Sequence, residues 1–287
     1  MLTEQADRGR GIMDVQKSIA YIQQRGTELE KARLNCILNG KQPDYQVIRN
    51  FNELQNIDGG YPFGMRKGNL STINETTVAL WWLEELDLLA SQAGKHAYSF
   101  LVTSQQADGS WNENPYIAQY ELPAWNQLND PKTILYLSAY ATYWLVLGGY
   151  TGLPNFRKAI HFLIRNQDET GKFYGYLHTT WIATSVFLMS GTRYRNIADM
   201  GLKVLANTPT SELDDSQIAW AVDCLSRGGL TGEHPFVSVC LAQLLQRQKE
   251  DGSWAAEDGE NFAVGATIQA IKVLKRYGFF STPIGGE

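Results

Sequence analysis

A short motif of a glutamine, a tight turn ending in glycine and a large aromatic residue occurs four times in this 287-residue sequence, at 55–61, 105–111, 167–173 and 248–254. The second and fourth copies are almost identical, whereas the third is degenerate and has Thr-Gly in place of Asp-Gly. Asp can bond its own backbone and Gly accepts a positive φ, so both residues suit a tight turn. A repeat of this kind constrains the architecture before any single residue is considered.

The segments around the motif are as regular as the motif itself. An amphipathic segment precedes the motif, and a segment that is apolar on nearly every face follows it. Helices that are apolar all round are buried, so we expect inner and outer helices to alternate along the chain. Five inner helices are predicted, at 76–83, 134–145, 179–188, 218–225 and 263–271. The stretch from Ile12 to Ile22, or its continuation to Leu38, would supply the sixth and close a ring. The predicted fold is therefore all-α, a single α/α toroid (α6/α6 barrel).

Length and composition are consistent with one domain covering residues 1–287, with 112–130 as an inserted loop that no other motif turn carries. The net charge is −5 with both signs scattered, which argues against a nucleic-acid partner. Three cysteines are too few for a disulfide framework. The polar N-terminus predicts no signal peptide, and no run of eighteen apolar residues predicts a membrane span. We expect a cytoplasmic protein, with peripheral membrane contact as one route for substrate uptake.

The repeats resemble the QW motifs of squalene–hopene and oxidosqualene cyclases, and the toroid is one that protein prenyltransferase β subunits share. The resemblance covers roughly residues 55–277. Because the chain has length for only one such toroid, it is most similar to the single-domain class II terpene cyclases. That resemblance implies protonation of a prenyl chain by a neutral carboxylic acid, carried in an Asp-x-Asp-Asp-Thr motif at the start of an inner helix.

The acid motif matches at two places in this sequence, and neither match is complete. At the usual position the chain reads Thr-Ile-Asn-Glu-Thr from residue 72, so that Asn74 and Glu75 replace the two central aspartates. Later it reads Glu-Leu-Asp-Asp-Ser from residue 212, which makes Asp214 the predicted acid with Asp215 beside it. Asp108, whose turn opens the 112–130 insertion, is the second candidate and Glu75 the third. The structural alternative is a helix cap for Asp214 and a turn residue for Asp108.

Substrate contacts are expected from polar and aromatic residues near the start of the inner helices. A carbocation is stabilised by aromatic faces, so we expect a deep, mostly apolar pocket at that end of the barrel. His178 would be a terminal base or a hydrogen-bond partner of the acid, with a purely structural role as the alternative. The predicted substrate-binding set is Asn74, Glu75, Trp111, Tyr136, His178, Trp181, Trp220 and Phe262.

The sequence thus predicts a class II terpene or meroterpenoid cyclase that acts on a hydrophobic prenylated small molecule. The substrate would be a long prenyl chain, with or without an aromatic head group, and no metal or organic cofactor is expected. Two alternatives stay open. One is a non-catalytic α/α toroid that binds a prenylated or peptide partner, and the other is an α/α-barrel glycosidase with paired carboxylates.

Overall fold

A computed structural model of the protein describes residues 13–281, and they form a mostly helical structure. Two short strands, β1 (Tyr61–Pro62) and β2 (Ser71–Thr72), pair in antiparallel fashion. The helices are α1 (Val15–Arg25), α2 (Glu28–Asn39), α3 (Tyr45–Asn52), α4 (Ile73–Glu85), α5 (Gln92–Thr103), α6 (Pro131–Leu147), α7 (Pro154–Asn166), α8 (Leu177–Met189), α9 (Arg195–Ala206), α10 (Asp215–Arg227), α11 (Pro235–Gln246) and α12 (Ala263–Arg276). In this part of the chain, no helix has the length and apolar composition that crossing a bilayer requires.

The even-numbered helices form a closed inner ring, in which α2 packs against α4 and each later helix packs against the next until α12 returns to α2. The odd-numbered helices lie outside this ring, which confirms the predicted all-α α6/α6 toroid. All five predicted inner helices lie in the ring. The sixth is α2, so the continuation toward Leu38 was the right alternative, whereas α1 packs outside against α12 and α2. Ile12 lies outside the described residues.

The four motif turns join the C-terminal ends of outer helices to the N-terminal ends of inner helices. In each turn the glutamine amide donates to the carbonyl of the motif glycine and to the backbone of the next outer helix. Gln105 Nε2, for example, lies 3.1 Å from Gly109 O and 2.9 Å from Asn155 O. Gly109 has φ 97°, and a Cβ there would lie 2.4 Å from Lys158 O, so this approach of turn to helix requires glycine.

The motif aromatic residue connects each turn to the inner helix that follows. Trp111 N donates to Ser138 Oγ of α6 at 2.9 Å, and Trp254 N donates to Thr267 Oγ1 of α12 at 3.2 Å. The indole of Trp111 is fully buried and donates to Leu101 O of α5 at 2.7 Å. The motif therefore fixes the ring of turns at one end of the barrel, which we call the acid end because of the carboxyl groups described below.

The 112–130 insertion lies across the acid end. Tyr120 stacks on Phe63, with ring centroids 4.8 Å apart, in the loop that leads to α4. Farther along, Trp125 packs edge-on against Tyr136 of α6 at 5.6 Å, and the Tyr176 hydroxyl at the start of α8 donates to Trp125 O at 2.9 Å. The insertion thus bridges the N-terminal ends of three inner helices and covers the entrance to the space they enclose.

Candidate active site

A cluster of aromatic rings fills the part of the lumen nearest the acid end. Trp220 of α10 is central to it, with ring centroids 6.3 Å from Tyr136, 5.8 Å from Trp181 and 5.3 Å from His178. Tyr140, one turn below Tyr136 on α6, lies 5.3 Å from Trp220 in a T-shaped arrangement. Three of the five aromatic residues in the predicted substrate-binding set, Tyr136, Trp181 and Trp220, therefore meet here, and His178 joins them.

The predicted deep pocket is not what this region contains, because the rings pack against one another. Below Trp220, a space that Tyr140 and Trp144 also line measures about 10 Å³, roughly the room for one water-sized sphere. Phe262, also in the predicted set, has 57% of its surface exposed and takes no part in the cluster. Trp111 lies instead between helix layers, bonded to α5. A prenyl chain could enter this lumen only by displacing aromatic side chains.

Two glutamates meet at the N-terminal end of α4, where the degenerate acid motif lies. Glu113, from the insertion, accepts hydrogen bonds from the backbone N–H groups of Ile73 at 2.7 Å and Asn74 at 2.9 Å. Glu75 accepts from Gly64 N at 3.0 Å and from the Thr72 hydroxyl. The charge of Glu75 contributes to raising the pKa of both Glu113 and the Tyr136 hydroxyl.

The environment of Glu113 favours a neutral carboxylic acid. Its surface is only 3% exposed, and burial, with a smaller contribution from the charge of Glu75, raises its pKa to about 7. The two backbone N–H donors stabilise the carboxylate and oppose the shift, but burial outweighs them. About half of such groups are protonated at neutral pH, as a proton donor to an alkene requires.

Sequence reasoning did not single out Glu113. The one available signal is its position two residues after the motif residue Trp111. After Trp254 the chain passes the start of α10 in the same way, because Ala255 N donates to Asp215 Oδ2 at 2.9 Å and Glu257 N to Ser216 Oγ at 2.9 Å. The segment that follows a motif therefore reaches the N-terminal end of the preceding inner helix.

The Asp214–Asp215 pair at the start of α10 is divided between two environments. Asp214 is the exposed N-cap residue, and its backbone N–H donates to Gln217 Oε1 at 3.0 Å. Asp215 is buried, and burial raises its pKa, but it contacts Ala255 N and lies 3.4 Å from Arg247 Nη1 at the end of outer helix α11. These contacts direct Asp215 away from the lumen. They favour a helix-cap role for Asp214 and a structural role for Asp215, which connects the start of α10 to Ala255 and Arg247, over proton donation by either residue.

Asp108 lies on the outside of its motif turn. Its Oδ1 accepts from Ser110 N at 3.0 Å and Ser110 Oγ at 2.7 Å. Burial is slight, and the bonds from Ser110 hold the pKa of Asp108 below its ordinary value. The aspartate is therefore kept ionised, which is the opposite of what a proton donor needs, and its surroundings favour the turn role.

His178 has a carboxylate partner that the sequence did not indicate. Its Nε2 lies 2.9 Å from Glu257 Oε2, and the imidazole packs on Trp181 with centroids 4.5 Å apart. Glu257 is partly buried, but its bond to His178 holds its pKa below the ordinary value. Next to it, burial and the charge of Glu257 raise the pKa of Asp258. The lumen entrance is thus lined by carboxyl groups on both sides and one imidazole.

The fold is that of type II terpene cyclases. MstE from Scytonema, in complex with merosterolic acid A (product), superposes with a TM-score of 0.60 at 15% identity, over 93% of this chain and 96% of that one. MstE in complex with geranylgeranyl dihydroxybenzoate (substrate) gives 0.61 at 14% identity, over 93% and 97%. The ent-copalyl diphosphate synthase from Streptomyces platensis gives 0.57 at 14%, over 86% of this chain and 50% of that one.

The likeness extends to a protein from Actinoplanes, with a TM-score of 0.63 at 15% identity over 92% of this chain and 98% of that one. No protein-family model and no curated protein matches the sequence. At these identities the comparisons establish the fold, and the fold predicted from the QW-like repeats is confirmed.

Proposed function

We propose that this protein is a class II terpene cyclase in which the Glu75–Glu113 pair supplies the proton. The observation that carries the proposal is the buried Glu113 carboxyl, with a pKa of about 7, at the start of the inner helix where the resemblance places the acid. The charge of Glu75 adds a smaller contribution to the raised pKa of Glu113, because a nearby negative charge disfavours ionisation of the second carboxyl. Glu75, whose charge acts on the Tyr136 hydroxyl, would transfer the proton, and Glu113 would resupply it.

The reaction balances without any other reagent. The proton adds to one carbon of the last double bond of the prenyl chain, and the other carbon of that double bond becomes a cation. The π electrons of successive double bonds then close carbon–carbon bonds, and loss of a proton from the last cation gives an isomer of the substrate. Trp220, Tyr136 and Trp181 would each stabilise passing cations by about 0.5–2 kcal/mol. His178, held by Glu257, is the proposed acceptor of the final proton.

The proposed substrate is a long prenyl chain, alone or joined to an aromatic head group. The support is the fold shared with a cyclase that was solved in complex with geranylgeranyl dihydroxybenzoate. The packed lumen requires that binding rearrange aromatic side chains, with the 112–130 insertion moving away from Tyr136 and Tyr176. The same packed lumen favours a second candidate function, a non-catalytic toroid that binds its partner on the outer surface.

Incubation with prenyl substrates of different lengths in D2O and EDTA separates the two. Class II chemistry would give a cyclic isomer of the substrate that carries one deuterium, with turnover unaffected by the chelator. If no chain is converted while tryptophan fluorescence reports saturable binding, the non-catalytic function is supported. Activity that disappears with EDTA and returns with magnesium would contradict protonation by a carboxylic acid as the first step.

A further inference from the structure

Trp220 of α10 stands where the lumen narrows, between the entrance and the small space beneath it. Its indole contacts rings from two other inner helices: Tyr136 and Tyr140 of α6, and His178 and Trp181 of α8. Tyr136, Tyr140 and Trp181 are buried, whereas Trp220 and His178 keep part of their surface accessible. A molecule that enters the lumen therefore reaches Trp220 and His178 before the other rings of the cluster.

Trp220 also begins the face of α10 that lines the space beneath. Asp223, Cys224 and Arg227 follow it at helical spacing, and all four residues line that space of about 10 Å³. This face thus passes from a large ring to a small thiol and then to charge. Since the space already borders Trp220, loss of the indole would enlarge it directly toward the entrance.

The floor of the space is polar and closed. Glu84 of α4 lines it together with Arg227, and the two side chains pair with one another. Glu84 also lies 2.7 Å from Lys272 Nζ of α12. An apolar chain that displaced these groups would leave buried charges unpaired, which is strongly unfavourable. A chain that enters from the acid end must therefore stop above this floor, and Trp220 is the ring that it meets on the way.

Among the rings that line the space, Trp220 is the one least fixed by its surroundings. Tyr140, Tyr143 and Trp144 of α6 pack on one another and are at most 3% exposed. The indole N–H of Trp81 on α4 donates to Glu85 at 2.6 Å. The indole of Trp220 donates no hydrogen bond within residues 13–281, and only ring contacts hold it in place.

We propose that Trp220 determines which chain lengths the lumen accepts. The inference rests on the proposed function, which has a prenyl chain enter at the acid end. A short chain reaches the accessible side of the indole without displacing it. A longer chain binds only when the indole rotates away from Tyr136 and Trp181 and loses those ring contacts. Affinity should therefore rise with chain length less steeply than the added apolar area alone would give.

Calorimetric titration of the full chain with geraniol, farnesol and geranylgeraniol tests this role without turnover. These neutral prenyl alcohols differ by one isoprene unit each, so their affinities report how much chain the lumen accommodates. Trp220→Ala should raise the affinity for geranylgeraniol relative to geraniol at least about tenfold over the wild-type ratio, because the longer chain then occupies the volume of the indole. Trp220→Phe, with a smaller ring, should give an intermediate ratio and serves as the test if the alanine variant does not fold.

Trp82→Ala is the matched control. It removes another half-buried indole from an inner helix, but Trp82 packs on Phe51 of the outer helix α3, with ring centroids 5.8 Å apart. The ratio of affinities should stay at the wild-type value in this variant, since the lumen above the floor is unchanged.

The role of Trp220 is overturned if both of its variants keep the wild-type ratio, or if Trp82→Ala changes the ratio as much as Trp220→Ala does. It is equally overturned if neither the wild type nor the Trp220 variants bind any of the alcohols saturably. A changed ratio in proteins that form no cyclic product would support Trp220 as the length-determining residue and contradict the cyclase reaction, so the two proposals fail separately.

Discussion

The two ends of the lumen hold carboxyl groups in similar number but pair them differently. At the acid end Glu75, Glu113, Glu257 and Asp258 surround the entrance, and within residues 13–281 only Glu257 has an ion-pair partner, His178. At the far end, where the inner helices finish, every carboxylate contacts lysine or arginine in a group that we call the charged cluster: Arg33, Glu84, Glu85, Asp223, Arg227, Lys272 and Arg276. The inner-helix macrodipoles explain the preference of acids for one end and bases for the other, but not this difference in pairing.

The consequence is that two buried carboxyl groups have pKa values displaced in opposite directions. Burial disfavours the charge of both Glu113 and Asp223. For Glu113 no cation opposes it, and the pKa rises to about 7. For Asp223, Lys272 and Arg276 outweigh burial and hold the pKa below its ordinary value. The partners of a buried carboxyl decide whether its pKa is raised or lowered, and this molecule has one of each kind at opposite ends of one lumen.

The largest effect is expected from breaking the pairing at the far end. Lys272→Met leaves three buried carboxylates short of one cation, and removal of one partner from a buried ionic group costs about 3–5 kcal/mol. Urea unfolding followed by far-UV circular dichroism measures the loss. Lys249→Met, which removes an exposed pair with Glu260, is the matched control and should cost less than about 1 kcal/mol. Equal losses in the two variants would mean that the charged cluster contributes no more than a surface pair.

Next in size is the pH dependence that Glu113 confers on stability. Because its folded pKa of about 7 lies above its ordinary value of 4.5, the folded state holds the proton more tightly than the unfolded state. The associated stability is fully present below pH 4.5 and is lost as pH rises through about 7. The loss amounts to about 3 kcal/mol when the shift is converted at about 1.4 kcal/mol per pH unit.

Subtracting the unfolding free energy of Glu113→Gln from that of the wild type at each pH isolates this contribution. Groups common to both proteins, such as Asp215 and Asp258 with raised pKa values, cancel in the difference. The difference should fall between pH 5 and 8, a range chosen to bracket the pKa of about 7. A difference that does not change with pH would show that Glu113 remains ionised throughout.

Catalysis gives the third test, which addresses the acid end alone. Glu75→Gln and Glu113→Gln each remove a transferable proton and should lower cyclisation by at least about 100-fold, or about 2.7 kcal/mol in the barrier. Wild-type activity should also fall as pH rises through about 7, since the neutral acid disappears. Product formation is followed by gas chromatography with mass detection. Unchanged activity in both variants would remove the Glu75–Glu113 pair from the reaction.

The sequence predicted the fold well because the fold is built from one local unit, a motif turn between an outer and an inner helix, that occurs several times. Each motif contains the glutamine, glycine and aromatic residue that fix its own turn, so the pattern can be recognised without knowing any distant contact. The sixth inner helix was harder to place, because α2 turns a charged residue inward. Arg33 is 2% exposed and pairs with Glu85, 52 residues later, and only that pairing makes a polar helix fit the inner ring.

The candidate site could be predicted only in part, for the same reason. His178, Trp181 and Trp220 lie at matching turns of neighbouring inner helices, so their proximity follows from the repeat. Glu113 reaches Ile73 and Asn74 across 40 and 39 residues, and no local pattern encodes that contact. The packed lumen depends on the rotamers of several aromatic side chains, which composition does not determine.

The smallest effects are expected from Asp108→Asn and Asp214→Asn, which extend the comparison to carboxyl groups outside the lumen. Both residues are exposed, and asparagine can still serve the turn and the N-cap, so unfolding free energies should stay within about 0.5 kcal/mol of the wild type. Cyclisation should change by less than about threefold, because both carboxyl groups are exposed and serve a turn and an N-cap outside the lumen. Parallel melting curves and product assays measure both quantities. Loss of all product in Asp214→Asn with an unchanged melting curve would instead assign the acid to the start of α10, as the motif at 212–216 predicts. Glu113 would then be a helix cap whose raised pKa has no part in the chemistry.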